Sequence, residues 1–195
     1  MLFFNPLPES VNIGGKEYQI NTDFRAGIKF ELLVQKNSKD ISPALLSPYF
    51  GENIPEDLQG AFEAVLLFFC CGNLPEKGKT SKRSAPAYSF EVDSNAIYAD
   101  FWRFYKINLF EESLHWWIFR SLLEGLPQDS EFKQRCYYRT VELNELPKAE
   151  RKRVLKIRAK IKIEDKARPK KTLEERNAEM KAYLDKRIKE TAGGG

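Results

Sequence analysis

The pattern of apolar and polar positions is densest between Leu114 and Pro127, and the chain is organised around that stretch. As a helix it carries Leu114, Trp117, Ile118, Ser121 and Leu122 on one face, at i, i+3, i+4, i+7 and i+8. Trp116, Phe119 and Leu123 form a second apolar face. A helix that is apolar on two faces needs cover on two sides, which places it at the centre of the fold. Its end is marked by Gly125, suited to a left-handed cap, and by Pro127, which cannot continue it. Within it, Trp117→Ala is expected to cost about 3–5 kcal/mol.

Upstream, Val11 to Ile20 is the one clear β pattern: two alternating runs joined by Gly14-Gly15, as in a tight hairpin. Asn21-Thr22-Asp23 offers caps for a helix from Phe24 to Gln35, with Phe24, Ile28 and Leu32 as its apolar stripe. Gly27 inside that helix costs about 1 kcal/mol against Ala and so suggests a close neighbour. Ser42-Pro43 opens a short helix expected to stop near Ser47-Pro48. Asn53 and Pro55 begin the next, with Glu56 and Asp57 in its first turn and Leu58, Ala61, Phe62, Val65, Leu66 and Phe69 on its buried face. Asn73 to Tyr88 reads as a loop with Lys77, Lys79, Lys82 and Arg83 among Gly, Ser and Pro. Asp93 or Ser94 then caps a helix bearing Ile97, Phe101, Phe104 and Tyr105, and Asp129-Ser130 caps one bearing Phe132, Cys136 and Tyr137.

From Asn144 the pattern thins. Lys148 to Ile163 holds Val154, Leu155, Ile157, Ile161 and Ile163 among many Lys and Arg, and Thr172 with Glu175 makes a capping box for a further helical segment. The fold class expected is mainly α: a helical body over 1–147 with the hairpin at 11–20, a basic helical arm over 148–190, and a tail over 191–195.

Charge sharpens that division. The net charge of +4 over 195 residues hides a body with 15 Lys+Arg against 20 Asp+Glu and an arm with 17 against 8. An aromatic content of 13% supplies enough bulk for a core in the body. No apolar run approaches the roughly 18 residues of a membrane span, and Met1 to Phe4 lacks the basic start of a secretory signal. Cys70, Cys71 and Cys136 fit buried, reduced thiols better than a disulfide frame.

Candidate chemistry is sparse. His115 is the only histidine and has no cysteine at a metal-ligand spacing, so a structural role is expected of it. There is no phosphate-binding glycine loop, nucleophile elbow or Cys-x-x-Cys. Neighbouring carboxylates such as Glu111-Glu112 do not face each other on a helix. An enzyme is therefore not expected, nor any catalytic, cofactor or metal residue. The basic arm suits an acidic protein surface or a nucleic acid. Nucleic acid is disfavoured, because Glu and Asp are interspersed and Tyr183 is the arm's one aromatic.

Leu7-Pro8-Glu9-Ser10-Val11, Ile13 with Gly15-Lys16-Glu17-Tyr18, and Ile20 to Arg25 resemble the opening of the phage family catalogued as "gene product fifteen". Ile97-Tyr98-Ala99 with Phe101, and Leu114-His115-Trp116-Trp117 with Phe119 and Leu122 to Leu126, resemble its later part. The resemblance covers roughly Leu7 to Arg139. It implies a tail assembly chaperone of long-tailed phages or prophages of Gram-positive bacteria. Such a protein holds the tape measure protein soluble until the tail tube forms, without catalytic residues. The implied partner is the tape measure protein, with the tail tube protein and self-association as further candidates, in the host bacterial cytoplasm and outside the mature virion. A nucleic-acid-binding accessory protein and a structural head–tail or tail-completion protein are the alternatives. The residues expected to meet a partner are Leu173, Met180, Tyr183, Leu184 and Ile188 on the arm and Tyr98, Trp102 and Tyr105 on the body.

Overall fold

The computed structural model describes residues 6–36, 41–74 and 86–163. Its first element is the expected hairpin, β1 (Ser10–Ile13) against β2 (Lys16–Gln19), paired antiparallel from Ser10 opposite Gln19 to Ile13 opposite Lys16. Gly14 and Gly15 turn the chain with φ of 58° and 85°, a conformation that a side chain resists, and the Asn12 carboxamide accepts the Gly15 N–H. Val11 and Ile13 point from β1 into the core, so the hairpin is held by what lies beneath it.

Beneath it run α1 (Phe24–Lys36), α2 (Pro43–Phe50) and α3 (Leu58–Phe69). The buried side of α1 is Phe24, Ala26, Gly27 and Phe30, whereas Ile28 and Leu32, expected on that stripe, are only half-buried. α2 does not stop at Pro48 but continues to Phe50 and closes on Gly51. Pro48 cannot donate to the Ala44 carbonyl four residues back, and the Ser47 hydroxyl donates to it instead at 3.0 Å. Asp57 caps α3 by accepting the Gly60 N–H, so the first turn begins after the two acids. Phe68, absent from the expected face, is buried there beside Ala61 and Val65.

The centre of the fold is α5 (Trp116–Gly125), as the two apolar faces required, but the deeper face is Trp116, Phe119 and Leu123. Trp117 and Leu122 are half-buried and Ile118 is exposed. The tryptophans close the end of α3. Their indole N–H groups donate to the carbonyls of Phe69 (from Trp116) and Phe68 (from Trp117), each at 2.8 Å. Carbonyls in the last turn of a helix lack i+4 partners, so the two indoles complete a cap to which the Cys71 N–H contributes on the Phe68 carbonyl. Trp116 also stacks on Phe69 and lies directly over Gly27, the close neighbour that this glycine admits. Phe119 stacks on Phe24 from α1 at 4.7 Å and on Phe101 at 5.2 Å. His115 caps α5: its Nδ1 accepts the Trp117 N–H and its Nε2 donates to the Pro8 carbonyl. Gly125 is the last helical residue and has no positive φ. The final turn is satisfied from outside by the Tyr105 hydroxyl, donating to Leu122, and by Lys133, donating to Glu124.

α4 (Phe90–Asp100) starts earlier than Asp93 or Ser94 would place it, because Ser89 is the cap and accepts the Val92 N–H. It runs into a single π-helical turn, Phe101–Tyr105, ended by Lys106 in the left-handed region. Asp100 accepts the N–H groups of Glu131 and Phe132 at the start of α6 (Glu131–Thr140), assisting Ser130. Asp93, freed from capping, is fully buried and takes a two-pronged ion pair from Arg139 of α6 at 2.6 and 2.8 Å. Burial pushes the Asp93 carboxyl up, but the Arg139 bonds and charge, the Ser89 N–H and Arg135 hold it below the ordinary range. Arg139 completes its donors on the Ala87 and Ile161 carbonyls.

That last bond reaches past α7 (Lys148–Lys160), which packs on α6 with Val154 buried and Arg158 donating to the Tyr138 and Val141 carbonyls. The packing of the body thus extends to Ile163, beyond the boundary expected at Pro147. The expected segments after Ile163, and the centre of the loop after Asn73, lie outside the described residues.

Candidate partner-binding groove

α1, α4 and α5 leave an apolar groove of about 200 Å³ between Ile28, Phe90, Ile97, Tyr98 and Phe119, roofed by Leu109 and Phe110. The roof is a polar turn, Asn108 to Glu112, that closes on itself: the Asn108 side chain accepts the Phe110 N–H, and Glu112 accepts the Asn108 N–H. Arg25 anchors it from α1. Its guanidinium donates to the carbonyls of Leu109 at 2.7 Å, Glu112 at 3.1 Å and Phe110 at 3.3 Å, while Asp23 holds the other side of the fork at 2.9 Å. Asp23 also accepts the Ser113 hydroxyl, and the Asp23–His115 bridge pairs the entries to α1 and α5.

On this frame Phe110 is 79% exposed, the most exposed of the large apolar side chains among the described residues. Its ring lies tilted against that of Tyr98, with ring centroids 4.9 Å apart. A large aromatic held outward by a hydrogen-bonded turn leaves most of its apolar surface in water, which is unfavourable without a partner to cover it.

Of the body residues expected to meet a partner, Tyr98 lines the groove and is half-buried. Trp102 is 51% exposed on the π turn, outside the groove lining. Tyr105 packs on Phe101 and spends its hydroxyl on Leu122, so it belongs to the scaffold. Leu173, Met180, Tyr183, Leu184 and Ile188 lie outside the described residues. Phe110, Leu109 and Ile28 were missed. The available signal was Phe110 itself, a lone large aromatic inside a polar turn before Glu111-Glu112.

A second, half-buried polar cluster joins Glu31, Tyr88 and Arg120. The Tyr88 hydroxyl donates to Glu31 and accepts from Arg120 at 3.4 Å. Burial raises the Glu31 carboxyl despite Arg120, and burial with the Glu31 charge pushes the Tyr88 phenol up to about 12. Among the described residues no group of His, Cys, Asp and Glu is placed to hold a metal ion, and no helix is long and apolar enough to cross a membrane. Cys70, Cys71 and Cys136 are unpaired thiols.

The fold is that of a mainly α-helical protein with a small N-terminal hairpin, and its groove is shaped for apolar side chains. It is a bacteriophage protein: the family described as "Bacteriophage Gp15 protein" matches residues 3–163, and the chain belongs to it. No curated protein and no solved structure matches the chain.

Proposed function

We propose that the protein is a tail assembly chaperone that binds the tape measure protein and keeps it soluble while the tail tube forms. It acts without a catalytic step, in the host cytoplasm, and is absent from the finished virion. The observation that carries this reading is Phe110, held outward over an apolar groove by the Arg25 anchor. An amphipathic helix presents apolar side chains at i, i+3 and i+4, and a groove flanked by Phe110, Tyr98 and Ile28 accepts such anchors. Membership of the phage family supports the setting.

Co-expression with the tape measure protein tests it. The chain is expected to raise the soluble yield of the tape measure protein and to co-purify with it. Phe110→Asp, at a site that contributes little to the core, should abolish both effects while leaving the fold intact. Leu184→Asp with Ile188→Asp should weaken them if the arm takes part. A wild-type chain that neither solubilises nor binds the tape measure protein refutes the reading, and its presence in purified virions refutes the transient role.

A further inference from the structure

α7 sorts its cations by direction. Arg151 donates to the Leu146 carbonyl at 3.1 Å, Arg158 donates to Tyr138 and Val141, and Val154 is buried between them, so that side of the helix faces the body. Lys148, Lys152, Lys156 and Lys160 recur every four residues along the other side, with Arg153 beside them, and all five are exposed. The stripe runs about 18 Å at 1.5 Å per residue. None of the five has an ion-pair partner among the described residues. Elsewhere the chain neutralises helical charge locally, with Glu131–Arg135 and Arg120–Glu124 paired at i and i+4. Like charges at that spacing oppose the helix, and here they repeat without relief.

We infer that this stripe binds the phosphate backbone of a nucleic acid duplex without sequence preference. Lysine is a compact point charge suited to phosphate, and a duplex offers one charge per roughly 1.7 Å of its axis. A protein partner is the poorer fit, because interface cores are apolar and depleted of lysine, whereas this face has only Ala149 and Ala159 between its cations and one exposed large apolar side chain, Leu155, at its edge. A single strand is poorer too, since α7 carries no aromatic to stack a base. The interspersed acids that argued against nucleic acid lie mostly beyond Ile163; Lys148 to Ile163 contains Glu150 alone. The inference is independent of the groove and of the tape measure protein.

Fluorescence anisotropy of the full chain with a short labelled DNA duplex of arbitrary sequence tests it, between about 50 and 200 mM salt. Four to five phosphate contacts predict a slope of log K on log salt near roughly −4. Lys152→Gln with Lys156→Gln and Lys160→Gln should flatten that slope by about 3 and weaken low-salt binding by roughly tenfold or more. If circular dichroism shows that the triple variant has lost helix, Lys156→Gln alone should still lower the slope by about 1. Absence of low-salt binding, or a slope unmoved by these variants, overturns the inference. So does poly-glutamate competing as well as unlabelled duplex, which would assign the stripe to an acidic protein. Neither result bears on co-purification with the tape measure protein.

Discussion

Gly27→Ala is the sharpest test of the central packing. On propensity alone the change should stabilise α1 by about 1 kcal/mol. The structure reverses the sign. A methyl at position 27 would stand 2.5 Å from Cδ2 and 2.7 Å from Cζ3 of Trp116, and nearer still to Cε3. The indole cannot step aside. It is fully buried, stacked on Phe69 at 4.9 Å, overlain by Arg120, and bonded through its N–H to the Phe69 carbonyl. Overpacking costs about 1–3 kcal/mol, and a displaced indole would strand a carbonyl at a further cost of about 1–3 kcal/mol. Net of the propensity gain, a loss of roughly 1–5 kcal/mol is expected, or about 2–20 °C in Tm for a domain of this size. Urea unfolding followed by tryptophan fluorescence measures it. Gly125→Ala is the control, since its methyl meets only the Tyr105 hydroxyl at an ordinary 3.4 Å and should be neutral or mildly stabilising. If Gly27→Ala proves as stable as wild type, the Trp116–Gly27 contact does not organise the core.

Other expectations follow from the same packing. Trp116→Ala should cost about 3–5 kcal/mol, the range for emptying a large core site. Trp117→Ala should cost clearly less than the value its sequence position suggested, because Trp117 is half-buried; equal losses in urea titrations would contradict this. Asp93 has a lowered pKa, so its stabilising contribution is complete above the ordinary 3.8 and is lost as pH falls through the lower folded value. Stability measured from about pH 5 down to about pH 2 should therefore fall more steeply in wild type than in Asp93→Asn. At neutral pH, Asp93→Ala should cost about 3–5 kcal/mol by leaving Arg139 buried and unpaired. Truncation after Ile163 should leave a folded body by circular dichroism, whereas truncation after Pro147 removes Val154, Arg158 and the Ile161 carbonyl and should lower its Tm.

Local rules were enough for the order and type of most elements, though not for the run of α2 past Pro48, the early start of α4 or the π turn that follows it. Gly14-Gly15 dictates a tight hairpin because few other residues accept two positive φ angles in succession, and Ser130 stands at a helix start because its oxygen accepts a free N–H group. The double apolar face of Trp116 to Leu123 required cover on two sides, and α1, α3 and α4 provide it. What local rules could not rank was the two faces. Both are apolar, and the choice fell to Gly27, whose missing side chain carries little hydrophobic weight yet lets an indole approach the α1 backbone. Likewise Lys148 to Lys160 reads by its polarity as a basic arm outside the body, but one valine and arginines bonded to carbonyls of α6 and its end suffice to dock it. The groove was the least legible feature. Ile28, Tyr98 and Phe110 are distant in sequence, and they meet only because Arg25 reaches from α1 to the turn ahead of α5. Such a site depends on contacts between elements, which periodicity within an element does not encode.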